Sequence, residues 1–528
     1  MSSWLKRTAL AAAATVAFSS FAVAQVTYNR GNTGEPETLD THKTSTVQES
    51  HILRDLLEGL VAYSPKAEPI AGQAEKWEVS DDGKTYRFTL RNGLKWSNGD
   101  PITAEDFVYS YRRIMNPETG AKYANILYPI KNAEKVNKGQ AKPEELGVKA
   151  VDAKTLEINL EAPTPYFLEL LTHQTSLPVH KASVEKFGKD FVKPGNMVSN
   201  GAFKLAEFAP NSHIKLVKNE NYWDAKNVKL DAVNFIPHSD LAAGVRRYEA
   251  GELDSMDELP ADQIKSLKER FKDQVKLGPY LGTWFFIVNS SKAPFNDVKV
   301  RQALSMLIDR EFVAEQIWGQ TMQPGYSFMP PGVGNYGEPA YMSYKDQSPI
   351  DREEAAKKLL TEAGFGPGKP LKVEIRYNTT DNNRNSVIAI AEQWKQAGIE
   401  TSFINTDGKT HFAHLRDGGD FEVARYGWIA DVNDPSNFLF LLKSDTRGFN
   451  AGKYNNPQFD KLLDQAAVEL DLKKRADIMR QAETILMKDM PWIPIMYYGK
   501  SNLISPKIQG FVQNTRGVYP SRYLSKTQ

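Results

Sequence analysis

The 528-residue chain contains no cysteine. Disulfides are therefore excluded, and stability must come from buried cores, of which a chain beyond roughly 250–300 residues builds more than one. It also has no dominant sign of charge, with 66 Lys and Arg against 65 Asp and Glu. Nucleic-acid binding rests on neutralising phosphates, so that class is excluded, as is a polybasic membrane patch. Histidine is scarce, at eight residues, and the HExxH and paired-cysteine spacings of metal sites are missing. Beyond the N-terminal segment no run reaches the roughly 18–20 apolar residues needed to cross a membrane.

The N-terminus is informative. Lys6 and Arg7 precede an Ala-rich apolar run from Thr8 to Phe21, followed by Ala22-Val23-Ala24. Positive region, short apolar stretch and small-x-small site in that order predict an export signal cleaved after Ala24. No cysteine follows, so the expected product is a soluble secreted chain and not a lipoprotein. Removing Lys6 and Arg7 lowers the basic count from 66 to 64 against 65 acids, a net charge near −1. Aromatics make up 11%, including 9 Trp and 22 Tyr, enough to line a ligand cleft or to fill large cores.

Local patterns are mixed α and β. Residues 77–90 read as a hairpin turning at Asp82-Gly83, with Tyr86, Phe88 and Leu90 on one face. Thr103 through Asp106 reads as a capping box opening a helix through Phe107 and Tyr111. A helix over 351–363 ends at Gly364, followed by a strand over 371–377, a helix over 385–397 and a strand over 400–404. That is a β-α-β crossover, the unit of mostly parallel sheets that take ligands at strand ends. A long amphipathic pattern over 460–488 carries at least one break, and 491–498 is a Pro-punctuated apolar strand.

Most chemical motifs fail on context. Gly332-Val333-Gly334-Asn335-Tyr336-Gly337 matches a dinucleotide fingerprint as a string, but prolines flank it and it is a loop. His411 and His414 share i, i+3 spacing without further ligands and read as an exposed helical surface. Asn289-Ser290-Ser291 and Asn378-Thr379-Thr380 are sequons without consequence behind a bacterial export signal. No nucleophile motif stands in a matching context, so no catalytic residue, metal or cofactor is expected. One constellation remains over 424–438, a strand that becomes a polar loop. In one reading Gly427 leaves a side of the backbone open and Arg425 and Asp431 face the two charged ends of an extended peptide. In the other, which the residues alone favour, Asp431 builds an Asx-turn, Arg425 is a surface charge and Trp428 fills core.

Several stretches in order resemble the extracytoplasmic solute-binding family of oligopeptide and dipeptide importers. They are Arg54-Asp55-Leu56-Leu57-Glu58-Gly59-Leu60, the run over 94–108 with Trp96-Ser97-Asn98-Gly99-Asp100, Asn200-Gly201-Ala202-Phe203, Tyr248-Glu249-Ala250-Gly251, Pro294-Phe295-Asn296-Asp297, and Gly427-Trp428-Ile429-Ala430-Asp431. The resemblance implies an α/β, two-lobed periplasmic-binding-protein fold, hinged, with the ligand buried between lobes and an extra mixed α+β domain. It places the signal at 1–24, a discontinuous lobe I at 25–57, 182–281 and 499–528, the inserted domain at 58–181, and lobe II at 282–498. Hinge strands fall near Tyr280-Leu281 and Tyr497-Tyr498.

The same resemblance assigns Asp431 to the peptide amino terminus and Arg425 to its carboxylate. Ser45-Thr46-Val47 and Gly427-Trp428-Ile429 become the backbone runs flanking the ligand. Tyr123, Tyr280 and Trp428 become cleft aromatics, and Arg416 a further cation. The sequence departs from the pattern at Lys409, where a Trp wall is usual, and at Trp318 and Asn383, where a Lys and a His near the ligand carboxylate are usual. Gly282 and Ile429 replace a cysteine pair. The implied partners are a short peptide and an inner-membrane ABC permease, with the chain a monomer. Alternatives are another small solute in the same fold (a murein peptide or a metal chelate), a secreted chaperone, or a hydrolase.

Overall fold

The structure is a computed structural model and describes residues 25–44, 46–238, 240–446 and 448–527. The expected export signal over 1–24 lies outside the described residues, as does Ser45. Among the described residues no helix is long and apolar enough to cross a membrane.

One eleven-stranded mixed sheet runs through both lobes. At its centre the strands Val275–Val288 and Trp492–Ile504 pair antiparallel over nearly their whole length. Their register is continuous from Val275 opposite Leu503 to Pro279 opposite Gly499, then shifts before Thr283 meets Tyr497. One irregularity therefore falls between Pro279 and Thr283, and a second between Trp284 and Phe285.

On the first side Ser255–Asp257, Thr27–Asn32, Ala232–Pro237, His213–Lys218 and Phe203–Ala209 follow in spatial order. On the second side come Val423–Ile429, Lys372–Asn378 and Glu400–Thr406. The last two are parallel and joined by the helix Asp381–Gln396, the crossover that the alternating pattern predicts. That helix starts four residues before the expected Asn385, because Thr380 accepts the Asn383 N–H and caps it there. The long pattern over 460–488 is two helices, Pro457–Val468 and Leu472–Asp489, the second capped by Asp471.

A separate antiparallel sheet holds Ala74–Val79, Thr85–Leu90, Thr155–Asn159 and Val148–Ala150. Its first two strands are the predicted hairpin, with Trp77 opposite Phe88, and Tyr86, Phe88 and Leu90 all buried. The hydrophobic residues of this sheet form one continuous cluster with Tyr28, Ile52, Phe203 and Phe235 of the neighbouring lobe. A second cluster, from Leu281 to Met496, is the core of the other lobe and includes Trp284, Trp394 and Trp492.

The C-terminal tail returns to the first lobe and is tied to its earliest elements. Arg30 donates to the Tyr519 carbonyl at 2.9 Å, the Ser521 N–H to Asp55 at 2.9 Å, and Lys526 to Asp254 at 2.7 Å. Arg522 also pairs with buried Glu58.

Candidate ligand-binding site

The strand Val423–Ile429 sets the frame. It lies antiparallel to the central strand, with Gly282 opposite Ile429, Trp284 opposite Gly427 and Phe286 opposite Arg425. On its other edge, Lys372–Asn378 pairs with it only at Val423 and Ala424. Ala430 donates its N–H to Leu281, and main-chain groups alternate between the two edges, so the N–H and C=O of Gly427 and Ile429 point to the unpaired side. Such an edge accepts an extended chain as an added strand.

Arg425 marks one end. It is buried, 7% exposed, which corrects the surface-charge reading. Its Nη1 donates to Asn378 Oδ1 at 3.0 Å and its Nη2 to the Tyr498 hydroxyl at 2.8 Å. The guanidinium lies over the Trp284 ring at 5.2 Å. No described carboxylate pairs with it, and a buried cation held only by neutral groups is costly until an anion arrives.

Asn383 supports this platform without facing outward. It accepts from Trp284 Nε1 at 3.1 Å, and its amide donates to Asn378 Oδ1 at 3.2 Å. Gly427 does not leave its vacant side open, as the first reading expects. A Cβ there would lie 2.3 Å from the Tyr498 hydroxyl, so the absent side chain makes room for the group that holds Arg425.

Asp431 marks the other end. The loop's turn chemistry falls to Asp434, which accepts the Ser436 N–H at 2.9 Å and forms a buried two-pronged pair with Arg475 at 2.7 and 2.8 Å. Asn437 Oδ1 receives both the Asp431 N–H at 3.1 Å and Trp428 Nε1 at 3.0 Å. The Asp431 carboxylate is thus half-buried and accepts no hydrogen bond from a described residue. Burial pushes its pKa above the ordinary carboxylate value, and the Arg516 charge pulls back against that rise.

Tyr123 is close enough to feel Asp431. Its hydroxyl is pushed up first by burial and then by that carboxylate, and its ring stacks on His173 at 5.6 Å. Trp428 is half-buried and meets Phe440 and Phe449 edge-on at 5.9 and 5.8 Å. Tyr280 lies at the strand irregularity with Lys500 over its ring at 5.5 Å.

The other expected residues are dispersed. Thr46 is extended but caps the helix Val47–Leu56, donating its N–H to Glu49 at 3.0 Å while its C=O accepts the Ser50 N–H. Val47, 47% exposed, is already the first helical residue and not part of an extended run. Arg416 is exposed beside Asp417 at 3.3 Å, and Lys409 lies in the first turn of the same helix, Gly408–Arg416. Trp318 donates to Ser386 at 2.9 Å.

His411, expected on an exposed surface, is fully buried. Burial pushes its pKa down to about 4, and its neutral ring donates Nε2–H to the Arg425 carbonyl at 2.7 Å, sealing an edge group left by Lys372–Asn378. His414 instead bonds the Asp420 carbonyl at 2.8 Å. Among the described residues no group of three His, Cys, Asp or Glu could hold a metal.

Sequence reasoning missed Asn378, Asn437 and Arg516. Neutral amides carry no spacing signal, and Arg516 lies 85 residues from the Asp431 carbonyl it binds.

Residues 68–450 match the family described as bacterial extracellular solute-binding proteins, family 5 Middle. The periplasmic oligopeptide-binding protein OppA of Salmonella typhimurium is 39% identical over 488 residues, covering 91% of this chain and 89% of that protein. The unliganded open form of the periplasmic murein tripeptide-binding protein MppA superposes with a TM-score of 0.88 at 38% identity, covering 95% of this chain and 98% of that one. Haemophilus influenzae OppA in complex with the peptide RPPGFSPFR gives a TM-score of 0.75 at 36% identity, covering 96% and 99%.

Proposed function

Because this chain belongs to family 5 of the bacterial extracellular solute-binding proteins, we propose that it captures short peptides in the periplasm for an inner-membrane ABC permease. The peptide lies as a strand along the open edge at Gly427 and Ile429. Its ammonium pairs with Asp431 and its carboxylate with Arg425, while Trp428, Tyr123 and Tyr280 wall the cleft. One observation carries this reading. Among the described residues, a half-buried carboxylate that accepts no hydrogen bond and a buried guanidinium without a counter-ion stand at opposite ends of one strand edge, unpaired at Gly427 and Ile429.

Lobe I comprises 25–57, 182–281 and 499–528, the inserted domain 58–181, and lobe II 282–498. Closure bends the molecule where the register of the two central strands shifts. The higher TM-score with an unliganded open form than with a peptide complex fits an open cleft. We place cleavage of the export signal after Ala24, leaving a free periplasmic chain without a lipid. Turnover of peptides is not part of the proposed role.

The test is mass spectrometry of small molecules released by denaturing protein purified from its native periplasm. The expected result is a mixture of short peptides with free amino termini. Recovery of one non-peptide solute would overturn the proposal.

A further inference from the structure

The loop that carries Asp431 belongs to one lobe but is held from the other. Arg516, on the C-terminal tail, donates Nη1 to the Ala430 carbonyl at 2.7 Å and Nη2 to the Asp431 carbonyl at 2.8 Å. Next in the chain, Val432 is buried in the hydrophobic cluster of the opposite lobe, not in that of its own.

Arg516 is itself fixed. Asn514 Oδ1 receives its N–H at 3.1 Å, and the Thr515 carbonyl receives the Leu281 N–H at 3.0 Å, on the central strand at its irregularity. Its Nε is buried without a hydrogen bond among the described residues, and Tyr63 and Glu169 also act on the guanidinium beside its two carbonyl partners. Two N–H donors onto two successive carbonyls fix both peptide units that flank the Asp431 Cα, and the direction of the Asp431 side chain follows from them.

We propose that Arg516 is the positioning residue of the amino-terminus site: by gripping the carbonyls of Ala430 and Asp431 from across the cleft, it aims the Asp431 carboxylate at the ligand's ammonium. Arg516 does not touch the ligand and acts only through Asp431. The inference rests on the reading of Asp431 given above. The same cation opposes the burial penalty on that carboxylate.

A staple that merely holds the lobes together predicts something different. Losing a staple weakens every ligand alike, whereas losing the aim of Asp431 weakens only ligands that present an ammonium. The experiment is titration calorimetry of the full chain with a tripeptide and its N-acetylated form, using wild type, Arg516→Ala and Arg516→Lys. Wild type is expected to favour the free amine by at least about thirtyfold, from the 2–5 kcal/mol attached to one buried charge pair. Arg516→Ala is expected to shrink that preference by about tenfold or more, as misplacement near 1 Å does. Arg516→Lys, which keeps the charge and one donor, recovers part of it.

If Arg516→Ala weakens both peptides by the same factor, or leaves the preference unchanged, the positioning role is refuted while the Asp431 reading stands. If wild type shows no preference for the free amine, the Asp431 reading itself falls and takes this inference with it. Should Arg516→Ala not fold by circular dichroism, Arg516→Gln is judged by the same ratio.

Discussion

Replacing Glu169 by Gln should make the protein more stable at pH 8 and leave it nearly unchanged at pH 4. Glu169 sits in the short helix Phe167–Leu170, between Arg54 and Arg516, with Asp434 opposing them. One of its carboxylate oxygens is buried without a hydrogen bond among the described residues. Burial outweighs the two cations and pushes its pKa up from 4.5 to about 7. In the unfolded chain the group returns to its ordinary value, so folding takes up a proton between those limits. The associated stability is fully present below pH 4.5 and is lost as pH rises through 7. The gap corresponds to about 3 kcal/mol, an upper bound because part of the side chain reaches solvent.

Wild type alone would mask this. His42 and His173, pushed by burial to about 3, and His411, pushed to about 4, lose stability in the opposite direction as pH falls below 6.5. The difference between variant and wild type cancels them. Urea unfolding followed by tryptophan fluorescence, from pH 4 to 8, should show that difference growing from near zero to about 1–3 kcal/mol in favour of the variant. Parallel curves for the two proteins would refute the assignment.

Further predictions concern the cleft. Asp431→Asn should weaken tri- and tetrapeptides by about 30- to several-thousand-fold, from about 2–5 kcal/mol per broken buried pair, with an unchanged melting temperature; calorimetry and thermal unfolding check both. Arg425→Met should hold or raise the melting temperature, because it removes a buried cation that has no anionic partner, yet abolish discrimination between free and amidated peptide C-termini. Gly427→Ala should cost about 1–3 kcal/mol of stability by driving a methyl into the Tyr498 hydroxyl, and Gly427→Ala combined with Tyr498→Phe should recover most of it in a denaturant titration.

The sequence made the elements legible wherever periodicity was strong and local. The 77–90 hairpin and the 371–404 crossover fall where the patterns put them, and the errors lie at their ends. Pro349–Glu362 begins two residues before the expected Asp351 because Ser348 caps it, receiving the Asp351 N–H. The hinge strands came from the resemblance and not from periodicity, since no window pattern reveals that strands some 200 residues apart are the centre of one sheet.

Within the site, Asp431 and Asp434 look alike on paper, two Asx residues in one polar loop. Only the buried Arg475, 41 residues away, assigns the turn to Asp434 and releases Asp431. His411 was misread because its partner is a backbone carbonyl left bare by a neighbouring strand, which no composition rule anticipates.

The ties between Arg30, Asp55 and Asp254 and the residues numbered 519 to 526 have a temporal meaning as well. A polypeptide emerging amino end first cannot finish its leading lobe until the closing couple of dozen residues have also appeared. The half made earliest therefore lacks these three ties until the part made last arrives. A chain that must pass a membrane before it compacts has, in this wiring, a built-in delay.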